Sequence, residues 1–196
     1  MAGPDKRYRM TSGMIIFGAA GSGKTTLGKM TAHRLCFPYF DIDDYIWRMD
    51  TEKPFTVMYS KEEKISRLMG DIKKYRHFVM AGSMDSFNAP FVPMFDLAVH
   101  LTASTSVRLG RIHRREYAEY GSRILEGGDM YAEHQCFLEV SANYDTDASP
   151  CMKSHKQWAD TLPCKVICLN GEESLDKNVE IIVREYQSLL QDSKKN

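Results

Sequence analysis

Residues 17–26, with the sequence FGAAGSGKTT, constrain the fold of this chain more than any other segment. The run MIIF at residues 14–17 is typical of a short buried strand, and LGKMTAHRL at residues 27–35 places apolar side chains at helical spacing. A strand, a glycine-rich turn and a helix are therefore expected in direct succession.

The spacing of Gly18, Gly23, Lys24 and Thr25 matches the phosphate-binding loop (Walker A) pattern, G-x-x-x-x-G-K-[ST]. Glycines let backbone N–H groups converge on phosphate oxygens, and the N-terminus of the following helix adds its positive dipole. Lys24 is expected to reach the β- and γ-phosphates and Thr25 to bind Mg²⁺. The predicted nucleotide-binding residues of the loop are Gly18, Ala19, Ala20, Gly21, Ser22, Gly23, Lys24, Thr25 and Thr26. The glycine order does not fit the dinucleotide fingerprint, which disfavours NAD.

Length and charge narrow the class of protein. A chain of 196 residues with 43% hydrophobic residues suits one domain, which we place at residues 1–196 with a core at about 14–190. The 26 basic and 26 acidic residues cancel, so no net charge draws the protein to nucleic acid or a membrane. The expected partner is a small molecule, and the expected assembly is a monomer or homodimer.

The cysteines and the lack of a long apolar run indicate the cellular compartment of the protein. The five cysteines are scattered without a C-x-x-C pair, which favours reduced thiols over zinc ligands or disulfides. The first residues lack the apolar core of a signal peptide, and no run approaches a membrane span. These features predict a cytoplasmic protein.

Five apolar runs predict the strands of one sheet: residues 14–17, 39–42, 78–81, 97–101 and 166–169. Helical patterns separate them, including one introduced by Ser60 and Glu63 as a capping box. Strands that alternate with helices indicate a parallel sheet covered on both faces, an α/β fold with its ligands at the carboxyl ends of the strands.

Two carboxylates follow the second predicted strand. Asp41 and Asp43 are two residues apart and share a face if the strand continues. We expect Asp41 to bind Mg²⁺, with Thr25, and Asp43 to orient the acceptor hydroxyl and take its proton. The alternative is that Asp43 or Asp44 caps the helix that follows.

An arginine-rich helical segment begins at Ser104. Neutralising the charge that phosphoryl transfer spreads over the phosphates requires arginines from outside the loop. On this ground we expect Arg111 to contact the nucleotide, and Arg115 and Arg123 to act with Lys24 and Asp43 as catalytic residues. Arg108 and Arg114 are expected on a solvated face.

Together, the phosphate loop, the D-x-D at Asp41 and Asp43, the strand DLAVHL and the arginine helix resemble the small P-loop kinases, a group that includes the shikimate, gluconate and nucleoside monophosphate kinases. The resemblance spans residues 14 to about 189. It implies a P-loop NTPase fold, three layers α/β/α with a five-stranded parallel sheet, and ATP and Mg²⁺ as cofactors. It also implies a mobile helical lid at about 117–134, for which Gly121, Gly127 and Gly128 are suitable hinges.

Departures from the family patterns leave the acceptor open. Shikimate kinases follow the third strand with a glycine triad that contacts substrate, whereas this chain has only Gly82, and the Asp-Gly typical of nucleoside monophosphate kinases is absent. Arg48 suits a carboxylate on the acceptor, while Trp47, Phe55 or Phe87 would suit a base. Asp129 and His134 are expected as a helix cap and a surface residue.

The leading hypothesis is an ATP-dependent phosphotransferase, a kinase that moves the γ-phosphoryl group of ATP to a small-molecule hydroxyl, as shikimate and gluconate kinases do. Two alternatives remain: a nucleoside monophosphate kinase, and an ATP-binding or ATP-hydrolysing regulatory protein without an acceptor. A nucleic-acid binder, suggested only by the arginine helix, is disfavoured by the zero net charge.

Overall fold

The structure is a computed structural model that describes residues 11–48, 50–51, 55–84, 86–146 and 151–192. The strands are β1 (Ser12–Phe17), β2 (Tyr39–Asp41), β3 (His77–Ala81), β4 (Phe95–Thr102) and β5 (Lys165–Asn170). The α-helices are α1 (Lys24–Leu35), α2 (Asp43–Ile46), α3 (Lys61–Ile72), α4 (Thr105–Tyr120), α5 (Tyr131–Ala142), α6 (Met152–Thr161) and α7 (Leu175–Asp192). Short 3₁₀ turns occupy Val92–Met94, Gly121–Ile124 and Asn143–Asp145.

The five strands form one parallel sheet in the order β2-β3-β1-β4-β5. Each of the five predicted runs coincides with one of them to within two residues at either end. α-Helices connect β1 to β2, β2 to β3 and β4 to β5, because parallel strands need a long crossover, whereas β3 and β4 are joined by a loop with one short 3₁₀ turn. The predicted α/β fold is confirmed.

Both faces of the sheet are covered, as the apolar character of β1 requires. Met14 and Ile16 pack on one face with α1 and α7, and Ile15 and Phe17 pack on the other with α3 and α6. All four side chains are essentially inaccessible to solvent. A central strand buried on both sides is the reason for three layers.

The start of α3 confirms the predicted capping box. The Ser60 hydroxyl accepts from the Glu63 N–H at 3.2 Å, and the Glu63 carboxylate accepts from the Ser60 N–H at 2.8 Å. Two N–H groups that the helix itself leaves unpaired are thereby satisfied.

Residues 117–134, predicted as the lid, comprise the end of α4, a 3₁₀ turn and the start of α5. Helix α5 packs back against α4. Gly121 and Gly127 have positive φ angles of 59° and 85°, with open space where a side chain would stand. Within the described residues, every helix is too short or too polar to cross a bilayer.

Candidate active site

The glycine-rich loop leaves β1 at Gly18 and turns into α1 at Lys24. Gly18, Gly21 and Gly23 have φ angles of +144°, +74° and +104°, which L side chains rarely adopt. A Cβ on Gly18 or Gly21 would also collide with the carbonyl oxygen of Leu101 or Arg108. The loop is thus pressed against the end of β4 and against α4, in a curl that requires glycine.

Lys24 and Ser22 show that the loop suits a phosphate ligand. The Lys24 Nζ donates to the Ala19 carbonyl oxygen at 2.7 Å, across the curl of the loop. Burial lowers the pKa of Lys24 to about 8, against the raising effect of Asp43 and Asp41. The Ser22 hydroxyl is fully buried and has no hydrogen-bond partner among the described residues. The partly buried Lys24 ammonium and the unsatisfied Ser22 hydroxyl fit a triphosphate.

Asp41, the last residue of β2, reaches the loop from two strands away. Its Oδ2 accepts from the Thr25 hydroxyl at 3.2 Å and from the Tyr39 hydroxyl at 3.0 Å. Thr25 and Asp41, the residues predicted to bind Mg²⁺, are therefore in direct contact. Two oxygen ligands of one cation lie close together, so this contact agrees with the prediction. Among the described residues, no group of three or more His, Cys, Asp or Glu side chains is arranged to hold a metal ion.

The premise that placed Asp43 beside Asp41 is wrong, because the strand ends at Asp41. Asp43 is instead the first residue of α2, and its N–H donates to Asp41 Oδ1 at 3.2 Å. The N-cap position is Ile42, so neither Asp43 nor Asp44 caps the helix with its side chain. Loss of hydration and the charge of Asp41 raise the pKa of Asp43, while Lys24 and Arg115 act in the opposite direction. Asp43 is therefore electrostatically coupled to the loop lysine.

Arg111 hydrogen-bonds to the backbone of the phosphate loop. Its Nη1 donates to the carbonyl oxygens of Ser22 at 3.1 Å and Gly21 at 3.4 Å, and its Nη2 to that of Gly171 at 2.9 Å. Arg111 therefore links the phosphate loop, through Gly21 and Ser22, to Gly171, which follows β5.

Arg115 and Arg123 lie in different settings. Arg115 is exposed, and its charge lowers the pKa of both Lys24 and Asp43, which places it within electrostatic reach of the loop. Arg123 donates from Nε and Nη2 to the two carboxylate oxygens of Asp129 at 2.9 and 2.7 Å. Asp129 is thus the partner of Arg123, and the predicted helix cap is wrong, because the N-cap residue of α5 is Met130 and no side chain caps the helix.

The predictions for Arg108 and His134 are wrong. Arg108 is fully buried and donates to the Ser141 carbonyl oxygen and the Asp145 carboxylate, both at 2.8 Å. His134 is also buried, between the Glu116 carboxylate at 2.6 Å and the His113 ring at 3.0 Å. Both form polar links between α4 and the segment 134–145, which explains why charged or titratable groups occupy these interior positions. Arg114 is exposed, as predicted.

The side chains that the sequence offers as acceptor contacts, Arg48, Trp47, Phe55 and Phe87, lie in different environments. Phe87 belongs to the core, while Phe55 is 47% exposed and meets the edge of Trp47 with ring centroids 6.1 Å apart. Arg48 pairs with Asp50 at 3.0 Å.

One group of polar residues at this edge of the sheet escaped prediction. The Ser83 hydroxyl, just past β3, lies 3.3 Å from His155 Nε2, and His155 Nδ1 lies 2.7 Å from the Tyr144 hydroxyl. His100 Nε2 stands 3.4 Å from the same hydroxyl. No sequence spacing predicts this group, because its four members come from four separate segments.

The sequence profile described as the AAA domain matches residues 14–134. Among curated relatives, a Bacillus subtilis protein named uncharacterized protein YqaC is 28% identical over 176 residues, which cover 89% of this chain and 97% of that protein. A shikimate kinase of Nitrosomonas europaea is 26% identical over 165 residues, 79% of this chain and 76% of the relative.

Solved structures share the fold at lower identity. A shikimate kinase from Acinetobacter baumannii in complex with shikimate has a TM-score of 0.54 at 16% identity, covering 94% of this chain and 98% of that one. A gluconokinase from Sinorhizobium meliloti has 0.53 at 16%, covering 93% and 97%. A deoxyadenosine kinase from M. mycoides with bound dATP has 0.53 at 15%, covering 89% and 99%. The profile matches more than half of the chain, so the chain belongs to the AAA domain family, and it shares its fold with these small kinases.

Proposed function

We propose that this protein is an ATP-dependent phosphotransferase that moves the γ-phosphoryl group of ATP to a hydroxyl group of a small molecule. The observation that carries the proposal is the 3.2 Å hydrogen bond from Thr25 to Asp41, which joins the phosphate loop to the carboxylates that follow β2. A phosphate-binding site and a carboxylate pair at one edge of the sheet are the two parts that phosphoryl transfer needs. The curated shikimate kinase relative supports the same reaction class.

The loop residues would bind and orient the nucleotide. Bound ATP with Mg²⁺ supplies the transferable phosphoryl group and neutralises part of its charge. The N–H groups of residues 18–26 would hold phosphate oxygens, and Lys24 would exchange its bond to Ala19 for one to the β- and γ-phosphates. Thr25 and Asp41 would hold the metal ion. Arg111 keeps the loop in shape through its carbonyl contacts.

Asp43 would orient the acceptor hydroxyl and take its proton. A pKa raised by lost hydration and by the neighbouring Asp41 brings this carboxylate closer to the range of a useful general base than a solvated aspartate is. Arg115, within electrostatic reach of Lys24 and Asp43, would meet the charge that spreads during transfer. Arg123 would join it after leaving Asp129, if the segment 117–134 closes as a lid.

The acceptor, assembly and location complete the proposal. The 26 acidic and 26 basic residues give a formal net charge of zero, which supports a small-molecule partner over nucleic acid or a membrane surface. A monomer or homodimer in the cytoplasm is consistent with the scattered cysteines.

The decisive experiment measures ADP release with Mg²⁺–ATP and each of four acceptors: shikimate, gluconate, deoxyadenosine and AMP. We expect release that depends on one of the hydroxyl acceptors, together with a rise in Tm on addition of Mg²⁺–ATP. Lys24→Ala should remove most of that rise and lower turnover by about 10³ or more, whereas Lys73→Ala, an exposed lysine at the end of α3, should change neither.

Other outcomes separate the alternatives. Transfer to AMP alone would favour a nucleoside monophosphate kinase. Steady ADP release that no acceptor stimulates would favour a regulatory ATPase. An unchanged ATP response in Lys24→Ala would contradict the nucleotide site itself.

A further inference from the structure

Ser83 occupies the position between the phosphate loop and the carboxylates. Strand β3 lies between β1 and β2, and the backbone continues the pairing at its end: Ile42 N–H donates to Ala81 at 2.9 Å and Gly82 N–H to Ile16 at 3.0 Å. The residue that follows Gly82 therefore stands at the carboxyl edge of the sheet, with the loop on one side and Asp41 on the other. An acceptor that lies between the loop and Asp43 therefore passes along the edge of the sheet at which Ser83 stands.

A buried chain of hydrogen bonds holds the Ser83 hydroxyl. His155, on α6, places Nε2 3.3 Å from the Ser83 hydroxyl and Nδ1 2.7 Å from the Tyr144 hydroxyl. His155 and Tyr144 are each only 4% exposed, whereas Ser83 is half-buried. Of these three hydrogen-bonded side chains, only Ser83 is therefore accessible to solvent or a ligand.

The direction of these hydrogen bonds depends on which ring nitrogen of His155 carries the hydrogen. Burial, then the charges of His100 and Lys24, lower the pKa of His155 to about 4, so its ring is neutral at pH 7 with one donor and one acceptor nitrogen. The phenol is the stronger proton donor of the two hydroxyl partners and makes the shorter contact. We assign Tyr144 O–H as donor to Nδ1, which leaves Nε2–H to donate to the Ser83 oxygen. The hydroxyl hydrogen of Ser83 then points away from His155.

Aromatic packing connects His155 to the residue that precedes the phosphate loop. Phe17, the residue before Gly18, stacks on His100 with centroids 4.9 Å apart and planes 3° from parallel. The same ring meets the edges of His155 at 5.6 Å and Trp158 at 4.8 Å. Because packed aromatic rings have few alternative rotamers, the imidazole of His155 is fixed relative to the start of the loop.

We propose that the Ser83 hydroxyl donates a hydrogen bond to an oxygen of the phosphoryl acceptor, and that His155, held by Tyr144, is a positioning residue that sets the direction of this donation. The proposal rests on the proposed phosphotransferase function. Asp43 and Ser83 each lie two residues past the end of neighbouring strands, β2 and β3, so an acceptor that reaches both carries a second oxygen besides the reacting one. This describes a polyhydroxylated small molecule.

The test uses the full chain, Mg²⁺–ATP and whichever of shikimate and gluconate the parent phosphorylates. Ser83→Ala and His155→Phe should each raise the acceptor KM about tenfold with the ATP KM unchanged. The double variant should be no worse than either single one, because both remove the same interaction. His155→Gln, which keeps an N–H near the Nε2 position, should restore most of the affinity. His33→Phe, at an exposed histidine of α1, is the matched control and should change neither KM.

A measurement without acceptor tests the assigned direction. Imidazole ¹⁵N shifts at pH 7 should show His155 neutral with its hydrogen on Nε2, and Ser83→Ala should shift that nitrogen. A hydrogen on Nδ1, or a protonated ring, would overturn the assignment even if His155→Phe proved unstable.

The failures of the two proposals are distinguishable. A parent enzyme that phosphorylates an acceptor while Ser83→Ala leaves the acceptor KM unchanged, or changes the ATP KM equally, contradicts the role of Ser83 and His155 but not the kinase function. A parent that transfers to neither polyhydroxylated probe contradicts the inference as well as its stated acceptor class.

Discussion

The two sides of the site are built in different ways. The nucleotide side is one contiguous segment, residues 18–26, whose shape follows from three glycines with positive φ angles. We place the acceptor side at the start of α2, the end of β3, α4 and α6, whose residues Asp43, Ser83, Arg115 and His155 are far apart in the sequence. The comparison teaches that the ligand common to a whole superfamily is held by local backbone geometry, whereas selectivity is left to side chains brought together by tertiary structure.

The two sides also differ in how charge is handled. The loop presents N–H groups and the Lys24 ammonium, whose pKa of about 8 reflects burial. The proposed acceptor side combines the Asp43 carboxylate with the hydrogen-bonded side chains of Ser83, His155 and Tyr144. Variants that damage one side should therefore spare binding on the other, and the predictions below use that separation.

The largest effect is expected from the carboxylates. Asp43→Asn should lower transfer to the acceptor by about 10³, because it removes the proposed base, while the ATP-induced rise in Tm stays as in the parent. Asp41→Asn should instead raise the Mg²⁺ concentration needed for half-maximal activity. Steady-state kinetics at varied Mg²⁺, with thermal shift assays, separate the two. Equal loss of ATP binding in both variants would show that the carboxylates belong to the nucleotide side.

A smaller effect is expected from the arginines. Arg115→Ala should lower turnover by about 10² with a smaller change in ATP affinity, since the charge it meets develops during transfer. The same is expected for Arg123→Ala if lid closure frees this side chain from Asp129. Asp129→Ala is the matched control, because it breaks the same ion pair and should retain turnover. If Arg123→Ala and Asp129→Ala lower turnover by similar small amounts, Arg123 serves only to form the ion pair with Asp129.

The smallest effect concerns stability and pH. The pKa of His155 is about 4 in the folded protein, below its ordinary value of 6.5, so between these pH values the unfolded chain binds a proton that the folded chain does not. Stability is thus fully present above about pH 6.5 and is lost as the pH falls toward 4. Urea unfolding at pH 7 and pH 5 should show a loss about 2 kcal/mol larger in the parent than in His155→Gln. An equal loss in the two proteins would contradict a neutral, buried His155, and His33→Gln, at an exposed histidine of α1, should behave as the parent.

Several features could be predicted because their causes lie within a few residues. The five strands are continuous apolar runs, which is what burial on both faces demands. The capping box at Ser60 joins residues three apart, and the phosphate loop is a turn whose glycines stand where the backbone needs them. The contact of Thr25 with Asp41 agrees with the expectation that both approach one metal ion, though their roles remain predictions.

The errors share one physical origin. Asp43 was placed on a continuing strand, but the chain turns into α2 directly after Asp41, and the N–H of Asp43 binds the Asp41 carboxylate. Arg108 was expected in solvent, yet Asp145, 37 residues away, neutralises it in the interior. Burial of a charge is decided by the partner that tertiary packing supplies, which spacing along the chain does not record.

By itself, the sequence determined the α/β class, the position of each strand and the loop that receives phosphate, because strand burial and glycine conformations are local requirements. Only the tertiary structure decided which side chains face that loop. Ser83 and His155 are 72 residues apart and Arg111 and Gly21 are 90 apart, so these contacts exist because parallel strands end at one edge and helices pack across it. Such long-range meetings depend on the geometry of the whole sheet, and on no pattern that a short stretch of sequence carries.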